Sequence, residues 1–112
     1  MSKFPYSILT ASLMLTFANM ATAQATVDAD AAKALFKDND CTKCHAVDKT
    51  KKGPSLKKIA ASQKTDGQEK IIKNMTTGPK IQFEDGSEEK HKIINTKDPK
   101  ELKNLADWIL SQ

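Results

Sequence analysis

The two cysteines of this 112-residue chain lie three positions apart, and a histidine follows the second one directly, in the segment Cys41-Thr42-Lys43-Cys44-His45. Side chains three positions apart project from the same side of a helical turn. Both sulfurs can therefore bond to one edge of a porphyrin ring, while the adjacent imidazole reaches the iron beneath it. The pattern C-x-x-C-H predicts one covalent haem c, attached through Cys41 and Cys44, with His45 as the proximal iron ligand.

The amino-terminal segment has the organisation of a secretory signal. Lys3 begins a short basic region, residues 8–17 form an apolar run, and residues 21–23 (Ala-Thr-Ala) supply the small side chains of a cleavage site. The apolar run of about ten residues is shorter than the roughly 20 that span a bilayer as a helix. We expect residues 1–23 to be a cleaved signal peptide and residues 24–112 to form one exported domain in the periplasm.

The expected mature domain has few side chains from which to build a core. Its 89 residues include 18 large apolar ones of the types Val, Ile, Leu, Met, Phe and Trp. Domains of this size with so few apolar groups seldom offset the loss of chain entropy without an additional constraint. A covalent haem supplies a cross-link and a large apolar surface, so this shortage independently supports the prediction made from the cysteines.

Three other interpretations of the cysteines compete with haem. A disulfide between Cys41 and Cys44 closes a loop too short to add much stability. A thioredoxin-like C-x-x-C is expected near a strand, and no strand pattern precedes Cys41. A zinc site would use both cysteines with His45 and His91, but adjacent Cys44 and His45 are poorly placed around one tetrahedral ion. We favour haem over all three.

Local signals predict helices on both sides of the cysteine motif. Asp28 or Asp30 can cap a first helix, whose apolar residues recur at helical spacing and which ends near Asn39. A lysine-rich loop follows the motif and closes with a Gly-Pro pair. Ser55 then begins a short second helix. The motif is therefore expected in the connection between two helices.

The second half of the chain predicts two more helices and a hairpin. Residues 66–69 (Asp-Gly-Gln-Glu) have the form of a capping box for the third helix. The last helix has Asp98 as its N-cap, Pro99 as its first residue and Glu101 to complete a second box. Between these helices, apolar and polar residues alternate around an Asp-Gly turn. This pattern predicts a short β-hairpin near residues 80–94 in an otherwise all-α domain.

With its motif and helices placed, the chain resembles the small bacterial monohaem class I c-type cytochromes over essentially its whole mature length. The resemblance depends on four features: a helix that ends just before C-x-x-C-H, Pro54 nine residues after His45, Leu56 just after this proline, and the aromatic Trp108 in the last helix. It implies the class I cytochrome c fold, in which the first and last helices cross near Phe36 around one covalent haem. It also implies that Pro54 and Leu56 bind the haem, and that the Pro54 carbonyl accepts the Nδ1 proton of His45.

The loop before the last helix departs from the family pattern. Members of the family usually place a methionine there as the sixth iron ligand, whereas this loop has none and contains His91, 17 residues before Trp108. Position therefore favours coordination by His45 and His91, and the predicted alternation puts His91 and Ile93 on one face. Met75, 33 residues before Trp108, is the alternative distal ligand. A sixth position that is open or occupied by a lysine is the third interpretation.

The resemblance implies a carrier of one electron rather than an enzyme, and the chain contains no catalytic triad or Gly-rich phosphate loop. We expect a periplasmic electron-transfer protein with bis-histidine ligation and a lower potential than relatives with His/Met ligation. Two alternatives remain at this point. The chain can be the haem subunit of a larger periplasmic oxidoreductase, or a gas-binding haem sensor if its sixth position is open.

Charge is distributed unevenly along the mature chain. Residues 41–64 contain seven lysines against Asp48, whereas residues 82–91 contain four carboxylates against Lys90. Complementary charge steers protein association, so we expect the lysine-rich region 43–64 to dock an acidic surface of a redox partner. The alternative is a solvated surface that only maintains solubility. The chain has no arginine and no interleaved aromatic residues, so nucleic-acid binding is not expected. The mature form is expected to be a monomer without a membrane span.

Overall fold

A computed structural model describes residues 26–63 and 65–112 of the chain. The predicted signal peptide, residues 1–23, and Lys64 of the lysine-rich region lie outside the described residues. Within the described ranges, no helix is both long enough and apolar enough to cross a membrane. These ranges form helices α1 (Ala29–Asp38), α2 (Leu56–Ser62), α3 (Gly67–Thr77) and α4 (Pro99–Leu110), a 3₁₀ turn (Cys41–Lys43), and strands β1 (Lys80–Gln82) and β2 (Glu88–Lys90).

Three helices begin at the predicted N-caps. The side-chain oxygens of Asp28, Ser55 and Asp98 each accept an N–H from the first turn of α1, α2 and α4, respectively. Such a bond satisfies one of the backbone donors that a helix start leaves without a partner. Asp28 rather than Asp30 is therefore the cap of α1, and Pro99 occupies the first position of α4, where its missing N–H costs nothing.

The two predicted capping boxes do not form. Asp66 precedes α3 with a left-handed backbone, φ 56°, and its side chain makes no capping hydrogen bond. Ahead of α4, the N–H of Asp98 donates to the hydroxyl of Thr96 at 3.2 Å. That hydroxyl in turn donates to the Glu101 carboxylate. Thr96 thus lies between the two groups that a capping box would join directly.

Helix α4 is the element against which α1, α2 and α3 all pack. Its inward face carries Leu105 and Ala106, which are both completely buried. At the crossing of α1 and α4, Phe36 meets Trp108 edge to face, with ring centroids 5.6 Å apart and planes at 66°. This contact confirms the packing of first and last helices that the resemblance implied. Aromatic pairs in this arrangement add about 0.5–1.5 kcal/mol beyond the area they bury.

The predicted hairpin is present as strands β1 and β2, which pair antiparallel with Ile81 opposite Glu89. Gly86 in the turn has φ 84°, a conformation in which a residue with a side chain is strained. The mostly helical fold with one small hairpin, as predicted, is therefore confirmed.

The alternation predicted beyond the second strand is wrong. Strand β2 ends at Lys90, so the period of two does not extend to His91 and Ile93. Ile93 is 52% exposed, and its neighbour Ile94 is buried in its place. The reason is a backbone hydrogen bond of 2.9 Å from the N–H of Ile94 to the carbonyl of Met75, which turns this segment onto α3.

Replacing Leu105 with alanine in the haem-loaded protein is expected to lower the free energy of unfolding by about 2–5 kcal/mol, because it leaves a cavity where α4 meets the other helices. Unfolding by urea, followed by circular dichroism, measures this change. Lys103→Ala on the exposed side of the same helix is the matched control, with an expected effect within about 0.5 kcal/mol. Equal losses in the two variants would contradict the orientation of α4.

Candidate functional site

Helices α2 and α3, the loop after the 3₁₀ turn and the hairpin surround a cavity of about 680 Å³. This volume lies within the range of about 300–1,000 Å³ that is usual for cofactor and ligand sites. Seven residues that the sequence indicated for haem binding all line it: Cys41, Cys44, His45, Pro54, Leu56, Met75 and His91. Residues separated by up to 50 positions in the chain therefore meet at one site.

The loop that closes over the cysteine motif holds the imidazole of His45 in place. Its Nδ1 donates to the carbonyl of Pro54 at 2.7 Å, which leaves Nε2 with a free lone pair. Burial lowers the pKa of His45 below its usual value, and the hydrogen bond to Pro54 opposes that shift. The ring is therefore neutral at physiological pH, the form in which imidazole binds metals.

Gly53 permits this arrangement by leaving room for the His45 ring. A Cβ at position 53 would lie 2.7 Å from Cε1 of His45 and 3.2 Å from the carbonyl oxygen of Cys44. The backbone N–H of Gly53 donates to that same carbonyl at 2.8 Å. Only a residue without a side chain fits so close to the ring, so the Gly-Pro pair is more than an ordinary turn.

The two cysteines carry free, half-buried thiols at the edge of the cavity. Burial raises the pKa of Cys41, so this sulfur is a neutral thiol at physiological pH. Among the described residues, no group of three His, Cys, Asp or Glu side chains is placed to hold a metal ion by itself. The zinc interpretation is therefore not supported. Among the described residues before Cys41, residues 26–40, there is no strand of the kind that a thioredoxin-like site follows.

His91 faces His45 across the cavity. The two ring centroids are 6.2 Å apart, and the ring planes are tilted by 40°. Nδ1 of His91 donates to the carbonyl of Lys92 at 2.9 Å, so this ring also keeps a free lone pair on Nε2. Its backbone N–H donates to the carbonyl of Pro79 at 2.8 Å, which anchors the end of the hairpin beside the ring.

Met75 borders the same cavity from α3. Its side chain is 5% exposed and belongs to the hydrophobic core. The carbonyl of Met75 accepts the N–H of Ile94, three residues after His91. Met75 therefore serves as a core residue and as an anchor for the segment that contains His91.

A charged bridge joins the loop on the His45 side to the hairpin on the His91 side. Lys52 Nζ lies 2.7 Å from Glu89 Oε1 and 5.1 Å from the centre of the Phe83 ring. We call this pair the Lys52–Glu89 bridge. No local pattern in the sequence predicts this bridge, because its two charges lie 37 positions apart.

The donor set fits a covalent haem: two free thiols at the spacing of C-x-x-C, an adjacent neutral imidazole, and an apolar cavity with a second imidazole opposite. The model of the cytochrome c family matches residues 29–112 of the chain. The chain belongs to the cytochrome c family and is a class I monohaem member that carries one covalent haem c. It is an electron carrier rather than an enzyme, as predicted.

Several characterised cytochromes are similar to this chain. Cytochrome c-551 of Pseudomonas denitrificans is 34% identical over 79 residues, which cover 69% of this chain and 92% of that protein. Cytochrome c-551 of Stutzerimonas stutzeri is 35% identical over 83 residues, which cover 70% of this chain and 74% of that protein. The crystal structure of the class 1 cytochrome MtoD from Sideroxydans lithotrophicus ES-1 has 54% identity and a TM-score of 0.72, with 77% of this chain and 97% of that chain covered. The crystal structure of cytochrome c552 from Nitrosomonas europaea has 30% identity and a TM-score of 0.54, with 70% of this chain and 96% of that chain covered.

Gly53→Ala is expected to displace the His45 ring and to change the visible absorption spectrum of the haem-loaded protein. It should also lower the free energy of unfolding by about 1–3 kcal/mol, the usual result of overpacking. Gly86→Ala in the hairpin turn is the control, because no atom lies within 4 Å of the added Cβ and only φ is strained. It should cost about 1 kcal/mol and leave the spectrum unchanged. An unaltered spectrum in Gly53→Ala would contradict the role of Gly53.

Proposed function

We propose that this protein transfers single electrons on its haem c with His45 and His91 as the two axial iron ligands. The separation of the two rings supports this most directly. A metal–imidazole bond of about 2 Å on each side, plus roughly 1.1 Å from nitrogen to ring centre, requires about 6 Å between ring centres. The observed distance of 6.2 Å matches that requirement.

The hydrogen bonds of the two imidazole rings support the same proposal. Each Nδ1 donates to a backbone carbonyl, that of Pro54 for His45 and that of Lys92 for His91. Such bonds fix the tautomer, orient the ring and make the opposite nitrogen a stronger donor to a metal. A solvated histidine in a charged segment would not need a fixed tautomer, and His91 is only partly exposed.

Met75 is the weaker candidate for the distal position. Its side chain is packed in the core beside α4 and lies on the same helix face as the buried Ile71. As an iron ligand, it would have to leave that packing. His91, in contrast, already stands opposite His45 at a distance suited to one iron ion.

Bis-histidine ligation has consequences for the electron that the protein carries. The haem, when bound, supplies a one-electron couple between Fe(III) and Fe(II). Two imidazoles are stronger donors to Fe(III) than an imidazole and a thioether, so the potential lies below that of His/Met relatives. The chain contributes ring orientation and the exclusion of water by Leu56, which is completely buried against the cavity.

We propose a periplasmic carrier that diffuses between partners as a monomer. The signal-like pattern of residues 1–23 supports export, which also suits covalent haem attachment. A gas-binding sensor with an open sixth position is the alternative that a high-spin spectrum of the wild-type protein would reveal.

The contacts of the lysines narrow the surface that we propose for docking. Lys43 pairs with Asp40, Lys52 with Glu89, and Lys51 donates to the backbone carbonyl of Thr42. Three of the seven lysines in region 43–64 are thus engaged within the protein. We propose that the exposed Lys57 and Lys58 of α2, which borders the cavity, meet the acidic surface of the partner.

In the haem-loaded protein, His91→Ala is expected to convert a low-spin iron to a high-spin one, because one of two strong axial donors is removed. Met75→Leu is the matched comparison and should leave the low-spin spectrum intact. His91→Met should raise the reduction potential by on the order of 0.1 V, since axial ligands tune haem potentials over about 0.8 V. Optical spectra and redox titration measure these effects.

The opposite results would assign the distal position differently. A far-red charge-transfer band in the oxidised wild-type protein, lost in Met75→Leu, would identify Met75 as the ligand and contradict the bis-histidine proposal. A high-spin spectrum in the wild-type protein would indicate an open position and favour the sensor.

Oxidation of the reduced protein by hexacyanoferrate(III), a small anionic oxidant, tests the docking surface. Its rate should fall about tenfold between low and high ionic strength, because salt screens the attraction to the lysines. The double variant Lys57→Glu/Lys58→Glu should react more slowly and depend less on salt. Lys33→Glu/Lys37→Glu, on exposed positions of α1, changes the net charge equally and is the control. Equal effects of both variants would indicate that net charge alone matters.

A further inference from the structure

Asn39, the residue that ends α1, has a side chain buried to 3% exposure. Its Nδ2 donates to the carbonyl of Leu35 at 2.9 Å, inside the last turn of the helix. Its Oδ1 accepts the backbone N–H of Asn95 at 2.9 Å. One carboxamide therefore joins the end of α1, two residues before Cys41, to the segment that follows His91.

Other contacts hold the same segment, but they differ in kind. The N–H groups of His91 and Ile94 donate to the backbone carbonyls of Pro79 and Met75. Lys92 also forms an ion pair with Asp40 at 3.2 Å, with both side chains about half exposed. Exposed ion pairs contribute little to stability.

The bond to Asn39 has a different weight. Among the described contacts of this segment, the bond from the Asn95 N–H to Asn39 is distinguished by its acceptor, which is a buried side chain. The bond from the Asn95 N–H is itself partly buried, so breaking it leaves the buried Asn39 carboxamide without one of its partners and water replaces that partner only in part. A change in this one side chain can therefore loosen the segment without removing any iron ligand.

We propose that Asn39 is a positioning residue for the distal imidazole and determines how often His91 leaves the iron. This inference rests on the proposed function, since it takes His91 as the sixth ligand. The carboxamide of Asn39 bonds to Leu35 and Asn95 and is not part of the cavity lining. It acts through Asn95, by keeping the four-residue segment after His91 against the end of α1.

Binding of carbon monoxide to the reduced, haem-loaded protein measures the opening of the distal position. At saturating carbon monoxide, the rate of binding becomes limited by the departure of the distal ligand. Asn39→Ala should raise this limiting rate about tenfold, because a partly buried hydrogen bond is lost in the closed form. Asn39→Asp keeps an acceptor for the N–H of Asn95 but loses the donor to the Leu35 carbonyl, so its limiting rate should lie between those of the wild-type protein and Asn39→Ala.

Asn104→Ala is the control for the loss of a carboxamide that joins two separate parts of the chain, and its bonds are more exposed than those of Asn39. The carboxamide of Asn104 makes the same kinds of bond, accepting the N–H of Asp28 and donating to its carbonyl, both at 2.8 Å. It joins α4 to the start of α1, away from the residues that line the haem cavity. Asn104→Ala should lower the melting temperature and leave the limiting rate unchanged. An equal acceleration in both alanine variants would overturn the proposal.

Amide hydrogen exchange in the unaltered holoprotein gives a second test that does not depend on the folding of a variant. The N–H of Asn95 should exchange slowly, although residue 95 lies in an exposed connection. Rapid exchange at this amide would show that the bond to Asn39 is not maintained, and would overturn the proposal.

The two proposals fail in different ways. If His91→Ala leaves the spectrum and the limiting rate unchanged, His91 is not the ligand, and both proposals are wrong. If His91→Ala opens the iron while Asn39→Ala leaves the limiting rate at the wild-type value, only the role of Asn39 is wrong.

Discussion

The 2.7 Å hydrogen bond from His45 to the carbonyl of Pro54 fixes one wall of the cavity, and the rest of the site is built in relation to it. Gly53 makes the close approach possible, and burial keeps the ring neutral. The opposite wall must then place a second donor at a suitable distance. The distance of 6.2 Å between the ring centres of His45 and His91 is therefore maintained only because the His45 ring is held in one position.

Stability and function are carried by different parts of the chain. Helix α4 packs against the other three helices and supplies most of the completely buried side chains. The two imidazoles that face each other across the cavity, those of His45 and His91, lie in connections, namely the segment after the 3₁₀ turn and the segment after strand β2. Such segments owe their order to individual hydrogen bonds and ion pairs. The Lys52–Glu89 bridge and the contacts of Asn39 show how a small domain keeps two loops facing each other.

Sequence patterns predicted what depends on neighbours in the chain. The caps at Asp28, Ser55 and Asp98 and the C-x-x-C-H motif are local signals, and the first three lie where expected. The box at Asp66 was wrong because the pattern does not show that the backbone there is left-handed. The alternation past Lys90 was wrong because a long-range bond to α3 overrides a strand period. The bond between Asn39 and Asn95 joins positions 56 apart, and no local pattern could pair them.

The dependence of the core on α4 has a consequence for the order in which the chain becomes structured. Helix α4 begins more than 50 positions after the cysteine motif, and α1, α2 and α3 all need it as a packing partner. Any process that presents the polypeptide from its amino terminus therefore delivers the two thiols before the helix that completes the core. During that interval, the sulfurs are accessible to modifying enzymes on an open chain. Covalent attachment can thus precede closure of the domain, without any need to reopen it.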